Sequence, residues 1–167
     1  DPRERGYRYP FTTCRTCGPR FTIIESMPYD RPRTSMKSFQ MCEACRREYT
    51  DAVDRRYHAQ PVACPRCGPH VSLEHNGVIV PGDDAIRLAA RMIDEGKTVA
   101  VKGLGGFHLA CKAEDFDAVE RLRRLKAREE KPLAIMSLSL DEVLAYCHVS
   151  PKEEMALLSR ERPIVLL

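Results

Sequence analysis

Six of the eight cysteines in this 167-residue chain form three Cys-x-x-Cys pairs, a spacing suited to metal binding. A Cys-x-x-Cys turn holds two thiolates at the separation of two corners of a tetrahedral zinc site, whose Zn–S bonds are about 2.3 Å long. Two pairs that lie about 15–20 residues apart are typical of a four-cysteine zinc finger. The second and third pairs are separated by 18 residues, and they predict a zinc site with the ligands Cys42, Cys45, Cys64 and Cys67.

The remaining pair, Cys14 and Cys17, belongs to an internal repeat with a period of 50 residues. Similarity at a fixed period indicates repeated structural units. The positions that are identical in the two copies are Asp1/Asp51, Arg5/Arg55, Tyr7/Tyr57, Cys14/Cys64, Cys17/Cys67, Gly18/Gly68 and Pro19/Pro69. We therefore expect Cys14 and Cys17 to be metal ligands in the second half of an earlier finger. Its first half would precede Asp1, so we expect the chain to be a fragment.

A disulfide framework is the alternative explanation of the cysteine pairs. The paired spacing disfavours it, as do Gly18 and Gly68, because a glycine after the pair suits a turn with positive φ. Eight cysteines in a chain without a signal peptide or a spanning apolar run predict a cytoplasmic protein that does not enter a membrane. We expect Cys111 and Cys147, which stand alone in apolar surroundings, to be small buried hydrophobic residues.

Composition predicts a zinc-finger module at residues 1–75 and an α/β domain at residues 76–167. The first part has little continuous apolar sequence, so we expect its folding to depend on metal. It carries 13 Lys and Arg against 9 Asp and Glu, whereas the second part carries 14 against 15. The positive excess offsets the negative charge that remains when Zn²⁺ binds four thiolates. A nucleic-acid interface is the alternative, but no basic stripe with interleaved aromatic residues supports it.

Alternating strand and helix patterns after the fingers predict the α/β fold. A turn at His75-Asn76-Gly77 precedes a helix that Asp83 or Asp84 caps and that ends at Gly96. The other predicted helices are Phe116–Ala127, with an apolar stripe of Phe116, Val119, Leu122 and Leu125, and the shorter Asp141–Tyr146 and Pro151–Ser159. The predicted strands are Thr98–Lys102, which we expect to be buried, Phe107–Cys111, Pro132–Met136 and Pro163–Leu167. The last strand is still apolar where the chain stops, so we expect the sheet to be incomplete.

Two segments of the α/β part could bind an anion. The glycine-rich turn that contains Lys102, Gly105, Gly106 and His108 would let backbone N–H groups approach a phosphate, although an ordinary tight turn explains the same residues. By default His108 is a core histidine. The second segment lies at the end of a predicted helix, where six of the eleven residues from Arg121 to Lys131 are cationic. These cations either favour the helix dipole in solvent or grip a phosphate.

Long motifs throughout the chain resemble the HypF family of carbamoyltransferases, which mature nickel–iron hydrogenases. The motifs are Arg8–Phe11, Cys14–Ile23, Met27–Pro32, His58–Pro61 and Lys102–Cys111. Members of that family have an acylphosphatase domain, two four-cysteine fingers, a YrdC-like domain and a C-terminal transfer domain. The resemblance implies that this chain contains half of finger one, all of finger two and about the first half of a truncated YrdC-like α/β domain.

The family's chemistry gives the second segment its expected role. HypF proteins hydrolyse carbamoyl phosphate, join the carbamate to ATP as carbamoyl adenylate, and pass the carbamoyl group to the terminal cysteine of HypE. The resemblance implies that Lys126, Arg128 and Lys131, followed by Pro132, bind the adenylate phosphates. It also implies that Lys102, Gly105, Gly106 and His108 line the same cleft, that ATP with magnesium is the co-substrate, and that the zinc is structural. No catalytic nucleophile is evident. Without the acylphosphatase and transfer domains, we expect the chain alone to be inactive.

Three alternatives to this interpretation share parts of the same architecture. A tRNA threonylcarbamoyl-adenylate synthase has the YrdC-like fold, but the fused fingers disfavour it. An O-carbamoyltransferase of an antibiotic pathway has both the finger and the YrdC-like parts. A zinc-dependent module that binds double-stranded RNA is the alternative from another class, and the steep salt dependence of its binding would reveal it.

Overall fold

The computed structural model describes residues 2–14, 18–128 and 130–167. The chain divides into two compact units, Asp1–Arg91 with Lys102–Gly106, and Met92–Val101 with Phe107–Leu167. The α-helices are α1 (Glu43–Thr50), α2 (Gly82–Asp94), α3 (Phe116–Lys126), α4 (Leu140–Leu144) and α5 (Pro151–Leu158). The strands are β1 (Ser72–His75), β2 (Val78–Pro81), β3 (Val99–Lys102) and β4 (Phe107–Ala110), and short 3₁₀ turns cover Phe21–Ile23, Arg31–Arg33 and Ser35–Ser38.

The internal repeat is present in the backbone of the first unit. Arg8 and His58 occupy equivalent positions, and both adopt the left-handed conformation, with φ of 58° and 51°. Three turn hydrogen bonds of the first copy recur 50 residues later. In the first copy they are Tyr7 N–H to Glu4 O (2.9 Å), Tyr9 N–H to Gly6 O (3.1 Å) and Thr12 N–H to Tyr9 O (3.1 Å). In the second copy they are Tyr57 N–H to Asp54 O (3.0 Å), Ala59 N–H to Arg56 O (3.0 Å) and Val62 N–H to Ala59 O (2.9 Å). The repeat predicted from identities is therefore a repeat of structure.

An unpredicted β-hairpin follows the finger. Strands β1 and β2 are antiparallel, with Ser72 opposite Pro81 and His75 opposite Val78. The turn between them is Asn76-Gly77, where both residues have positive φ, 51° and 77°. This conformation is the one that two-residue hairpin loops prefer, and Asn-Gly is their strongest sequence signal. The turn was predicted correctly, but the polar Ser72–His75 segment did not indicate a strand.

A buried arginine connects the linker between the cysteine pairs to the finger. The Arg31 guanidinium donates hydrogen bonds to the carbonyl oxygens of Phe39 (2.7 Å), Gln60 (2.7 Å) and Val62 (2.8 Å). Burial lowers the pKa of Arg31, and the nearby Cys67 and Cys45 thiols oppose that effect. A buried carbonyl without a partner costs about 1–3 kcal/mol, so one side chain here satisfies three such groups.

The helices of the second unit agree with the sequence pattern. Helix α3 begins at the predicted residue, because the Asp115 carboxylate caps it by accepting from Ala118 N–H at 3.0 Å. It ends where Ala127 turns left-handed, with φ of 48°. The Ser150 hydroxyl and the Glu153 carboxylate form a capping box that starts α5. Of the predicted stripe on α3, Leu122 is buried, whereas Phe116 and Leu125 are largely exposed.

Two predicted strands are wrong. Within residues 2–14, 18–128 and 130–167, neither Pro132–Met136 nor Pro163–Leu167 pairs with another strand, and each is irregular. A strand needs a neighbour for its backbone hydrogen bonds, and the described sheets are the pairs β1–β2 and β3–β4. Met136 is accordingly 98% exposed. Strand β3 exists as predicted, but only Val99 of its residues is buried.

In the portion of the chain that the structure describes, every helix is too short or too polar to span a bilayer.

Gly96, predicted to end α2, is a site where a side chain is expected to destabilise the protein. Its φ is 76°, and a Cβ there would lie 2.6 Å from Asp115 Oδ2. We expect Gly96→Ala to lower the free energy of unfolding by about 2–3 kcal/mol, because the left-handed conformation and the disturbed α3 cap both contribute. Urea unfolding measures this change.

Gly77→Ala is the matched control for that substitution. Its φ is 77°, but no atom lies within 4 Å of the added Cβ, so only the backbone term of about 1–2 kcal/mol applies. Equal losses in the two variants would show that contact with Asp115 contributes nothing.

Candidate metal centre and phosphate-binding loop

The four predicted finger cysteines meet at one point. Their Sγ atoms all lie within 4.8 Å of one another. The measured Sγ–Sγ distances are 3.8 Å for Cys42–Cys64, 3.7 Å for Cys64–Cys67 and 3.5 Å for Cys67–Cys45. A tetrahedron with Zn–S bonds of about 2.3 Å has edges of about 3.8 Å. The donor set and its spacing therefore fit a closed four-thiolate zinc site, as predicted.

Helix α1 positions the first pair of ligands. Cys42 is the N-cap of the helix and Cys45 lies in its first turn, so both sulfurs lie at the positive end of the helix dipole. The hydrogen bond from the backbone N–H of Cys45 lowers the pKa of Cys42 to about 7. Burial raises the pKa of Cys45, whose side chain is fully buried. Zinc binding must therefore overcome the desolvation of Cys45, which favours its thiol form.

A tight turn positions the second pair. The carbonyl of Cys64 accepts hydrogen bonds from the N–H groups of Cys67 (3.1 Å) and Gly68 (2.9 Å). The positive φ predicted for Gly68 is wrong, because Gly68 is not among the residues with that conformation. Glycine is required here by close packing instead. A Cβ at this position would lie 2.2 Å from Tyr9 Oη and 2.5 Å from the Cβ of Ala63.

The two remaining predicted ligands are not assembled into a site by the described residues. Cys14 is exposed, and its carbonyl accepts a hydrogen bond from Gly18 N–H at 2.7 Å, just as that of Cys64 does from Gly68. Cys17 lies outside the described residues. Cys111 and Cys147, which were predicted to be buried, are both half-buried thiols.

Cationic residues surround the end of α3, as predicted, and a further arginine organises them. The Arg123 guanidinium donates hydrogen bonds to the carbonyl oxygens of Arg128 (3.3 Å) and Lys131 (3.1 Å). The N–H of Arg128 in turn bonds to the carbonyl of Arg123 at 3.1 Å. These bonds curl the segment after α3 back onto the helix end. Lys126 is half-buried, while Arg128 and Lys131 are exposed.

The glycine-rich turn is a separate structure between β3 and β4. Gly103 N–H bonds to the carbonyl of Gly106 at 2.7 Å, which closes the turn. A Cβ on Gly105 or on Gly106 would have no atom within 4 Å, so open space faces this backbone. Gly106 also has a φ of 157°. His108, which by default was expected in the core, is exposed on β4.

Family comparisons agree with this arrangement of a finger followed by an α/β part. Residues 1–24 and 41–74 match the HypF finger family, and residues 91–167 match the Sua5, YciO and YrdC family, described as telomere recombination. The carbamoyltransferase HypF of Rhodobacter capsulatus is 53% identical over 99% of this chain. The chain belongs to the HypF family. The probable carbamoyltransferase HypF of Methanocaldococcus jannaschii is 46% identical over the whole chain.

Solved HypF structures share the fold. HypF of T. kodakarensis is 50% identical and superposes with a TM-score of 0.91 over 98% of this chain. A full-length HypF in a phosphate- and nucleotide-bound form is 55% identical, with a TM-score of 0.84 over 96% of the chain. The chain spans only about a fifth of its relatives, 22% of the Rhodobacter capsulatus protein and 21% of the nucleotide-bound structure.

The HypF finger is expected to hold zinc through the four-sulfur cluster alone. The purified chain should contain close to one tightly bound zinc by elemental analysis, and Cys64→Ser should lose it because three thiolates remain. Cys147→Ser is the control, since this half-buried cysteine lies outside the cluster. Full zinc retention in Cys64→Ser would contradict the ligand assignment.

Removal of the metal should unfold the finger and leave the second unit largely folded. The buried core around the ligands is small, formed by Cys45, Ala59, Val62 and Cys64, so the energy of metal binding supplies much of its folding energy. After treatment with a chelator, hydrogen exchange should accelerate at backbone amides up to about Leu73 and stay slow in α3. Unchanged exchange in α1 would show that the finger folds without metal.

Proposed function

We propose that this chain is the zinc-finger and phosphate-binding part of a HypF carbamoyltransferase. The observation that carries the proposal is the order of two family matches in one chain, the HypF finger and then the YrdC-type domain. Identity of 46–53% to HypF carbamoyltransferases extends over essentially all residues and thus includes the cationic segment after α3. The proposed domain ranges are residues 1–75 and 76–167.

The proposed reaction has three steps in the complete enzyme. Water first cleaves carbamoyl phosphate into carbamate and phosphate. A carbamate oxygen then attacks the α-phosphorus of ATP, which is bound with magnesium, and pyrophosphate leaves as carbamoyl adenylate forms. The terminal cysteine thiol of HypE finally attacks the carbamoyl carbon, and AMP leaves. The first and last steps belong to acylphosphatase and transfer domains, and this chain contributes to the middle one.

The segment after α3 has the charge and the anchoring that adenylate formation requires. Transfer at an α-phosphate depends mainly on positioning and on cations that stabilise the developing charge. Lys126, Arg128 and Lys131 supply three cations within six residues. Because Arg123 binds the carbonyl oxygens of Arg128 and Lys131, the backbone of the segment is held while the side chains of these two residues are exposed. A nucleotide phosphate is the ligand that we assign to them.

The glycine turn is a second candidate contact for a phosphate. Gly105 and Gly106 leave space for a phosphate or a sugar to approach the backbone. Lys102 and His108, which flank the turn, are exposed and can add a cation and a hydrogen-bond donor. A full-length HypF that is 55% identical to this chain was solved in a phosphate- and nucleotide-bound form, and this chain spans 21% of that protein.

The zinc in this proposal is structural, because four thiolates leave it no open position for water. The finger therefore acts as a rigid spacer between neighbouring domains. Four cysteines gathered around one point for a metal ion support a reducing compartment such as the cytoplasm.

Substitution of Arg128 tests the phosphate site in the full-length enzyme. Arg128→Ala should lower carbamoyl-phosphate-dependent ATP–pyrophosphate exchange, because loss of a charged hydrogen bond costs about 1.5–3 kcal/mol of binding. Zinc content should stay unchanged. Arg124→Ala is the matched control, since this exposed arginine lies on the last turn of α3 outside the proposed motif. Equal exchange in both variants and the wild type would contradict the site.

The same assay distinguishes the alternative functions. Exchange that depends on threonine and bicarbonate would indicate a threonylcarbamoyl-adenylate synthase. Carbamoylation of a small hydroxyl compound in place of HypE would indicate an O-carbamoyltransferase. Binding to double-stranded RNA with a steep salt dependence, and no exchange, would indicate the RNA-binding module.

A further inference from the structure

One arginine outside the set of cysteine ligands bonds directly to the metal centre. The Nη1 of Arg5 lies 3.0 Å from Sγ of Cys45. Its Nη2 lies 2.5 Å from Oε2 of Glu48, one turn further along α1. We propose that Arg5 is a positioning residue of the zinc centre, which holds the Cys45 thiolate by an N–H···S hydrogen bond. Its role is to slow the exchange of the metal.

The geometry gives this contact a fixed direction. Glu48 receives Arg5 on one carboxylate oxygen and Arg56 on the other, at 3.4 Å, so the carboxylate cannot turn away without losing both ion pairs. The side chains of Arg5 and Glu48 are 33% and 20% exposed, respectively. Arg5 is thus held against Cys45, whose own side chain is fully buried.

The chemistry of a zinc–thiolate centre explains what such a contact does. Four thiolates exceed the charge of Zn²⁺, and the excess is concentrated on the sulfurs. A guanidinium hydrogen bond withdraws charge from one sulfur, which makes that thiolate less easily attacked by protons or by a competing metal ligand. Outer partners of metal ligands of this kind typically change metal affinity by about 10–100-fold.

Other arginines near the finger do not share this arrangement. Arg31 directs its bonds to three backbone carbonyl oxygens. Arg55 is the counterpart of Arg5 in the repeat, and it pairs with Glu4 at 3.1 Å. Among the described residues, Arg5 is the arginine with a hydrogen bond to a cluster sulfur. The first copy of the repeat therefore supplies a group to the zinc site of the second copy, 40 residues away in sequence.

The rate of zinc transfer from the 167-residue chain to an excess of a coloured chelator tests the role of Arg5. We expect Arg5→Ala to transfer zinc about 10–100 times faster than the wild type. Arg5→Lys, which keeps the cation, should restore much of the slow rate. Arg47→Ala is the control, because this arginine is exposed on the same helix, and its rate should equal that of the wild type.

A spectroscopic measurement separates a bond to sulfur from general loosening of the finger. In the cobalt(II)-substituted chain, removal of a hydrogen bond to a thiolate should move the sulfur-to-cobalt charge-transfer band of Arg5→Ala to lower energy, while the tetrahedral ligand-field bands keep their intensity. An unshifted charge-transfer band together with wild-type transfer rates would overturn the proposal. So would a fast rate in Arg5→Ala that Arg5→Lys does not slow and that comes with an unshifted charge-transfer band, because the effect would then come from packing.

Discussion

Four sulfur atoms within 4.8 Å of one another impose the main constraint on the first unit. Brought together as thiolates they repel strongly, and the small core around them cannot compensate, so the module depends on a metal ion and on nearby cations. Two arginines supply nearby positive charge. Arg5 bonds to the sulfur of Cys45, and the charges of Cys67 and Cys45 raise the pKa of Arg31 against the larger effect of burial. The charge also acts on Tyr9. Burial and then the neighbouring Cys67 raise the pKa of Tyr9 to about 12, so its hydroxyl stays protonated and donates to Pro69 O at 2.8 Å.

In each unit, an arginine side chain also holds the backbone by donating hydrogen bonds to carbonyl oxygens. Arg31 joins the linker to the finger through carbonyl oxygens, and Arg123 curls the segment after α3 through those of Arg128 and Lys131. In both places one planar cation satisfies several acceptors that no helix or sheet would pair. In the finger, Arg31 bonds to carbonyl oxygens and not to sulfur, so the cysteine sulfurs stay available to bind a metal. After α3, the side chains of Arg128 and Lys131 remain exposed.

The sequence was sufficient for features that depend on local spacing. The clustering of the four cysteines, the repeat, the end of α2 and the limits of α3 follow from local spacing. The predicted cap of α2 was wrong, because the helix begins at Gly82 and both Asp83 and Asp84 lie in its first turn. The contact from Arg5 to Cys45 spans 40 residues and that from Arg31 to Gln60 spans 29, and no pattern of residue types predicts which arginine reaches which partner. The strand prediction at Pro132–Met136 failed because propensity describes a residue's preference and cannot provide a neighbouring strand. Gly68 was recognised for the wrong reason, since only the structure shows the tyrosine hydroxyl that occupies the place of a side chain.

The two copies of the repeat share their turns and their left-handed positions, yet the side chains at matching positions do different things. Position 9 is a tyrosine that reaches across to Pro69, whereas its counterpart, Ala59, is a small residue inside the finger core. Position 5 contacts a sulfur, whereas position 55 pairs with Glu4 on the surface. The first copy has become a support for the second. A protein with the two copies exchanged would keep every turn and lose the contacts that join them.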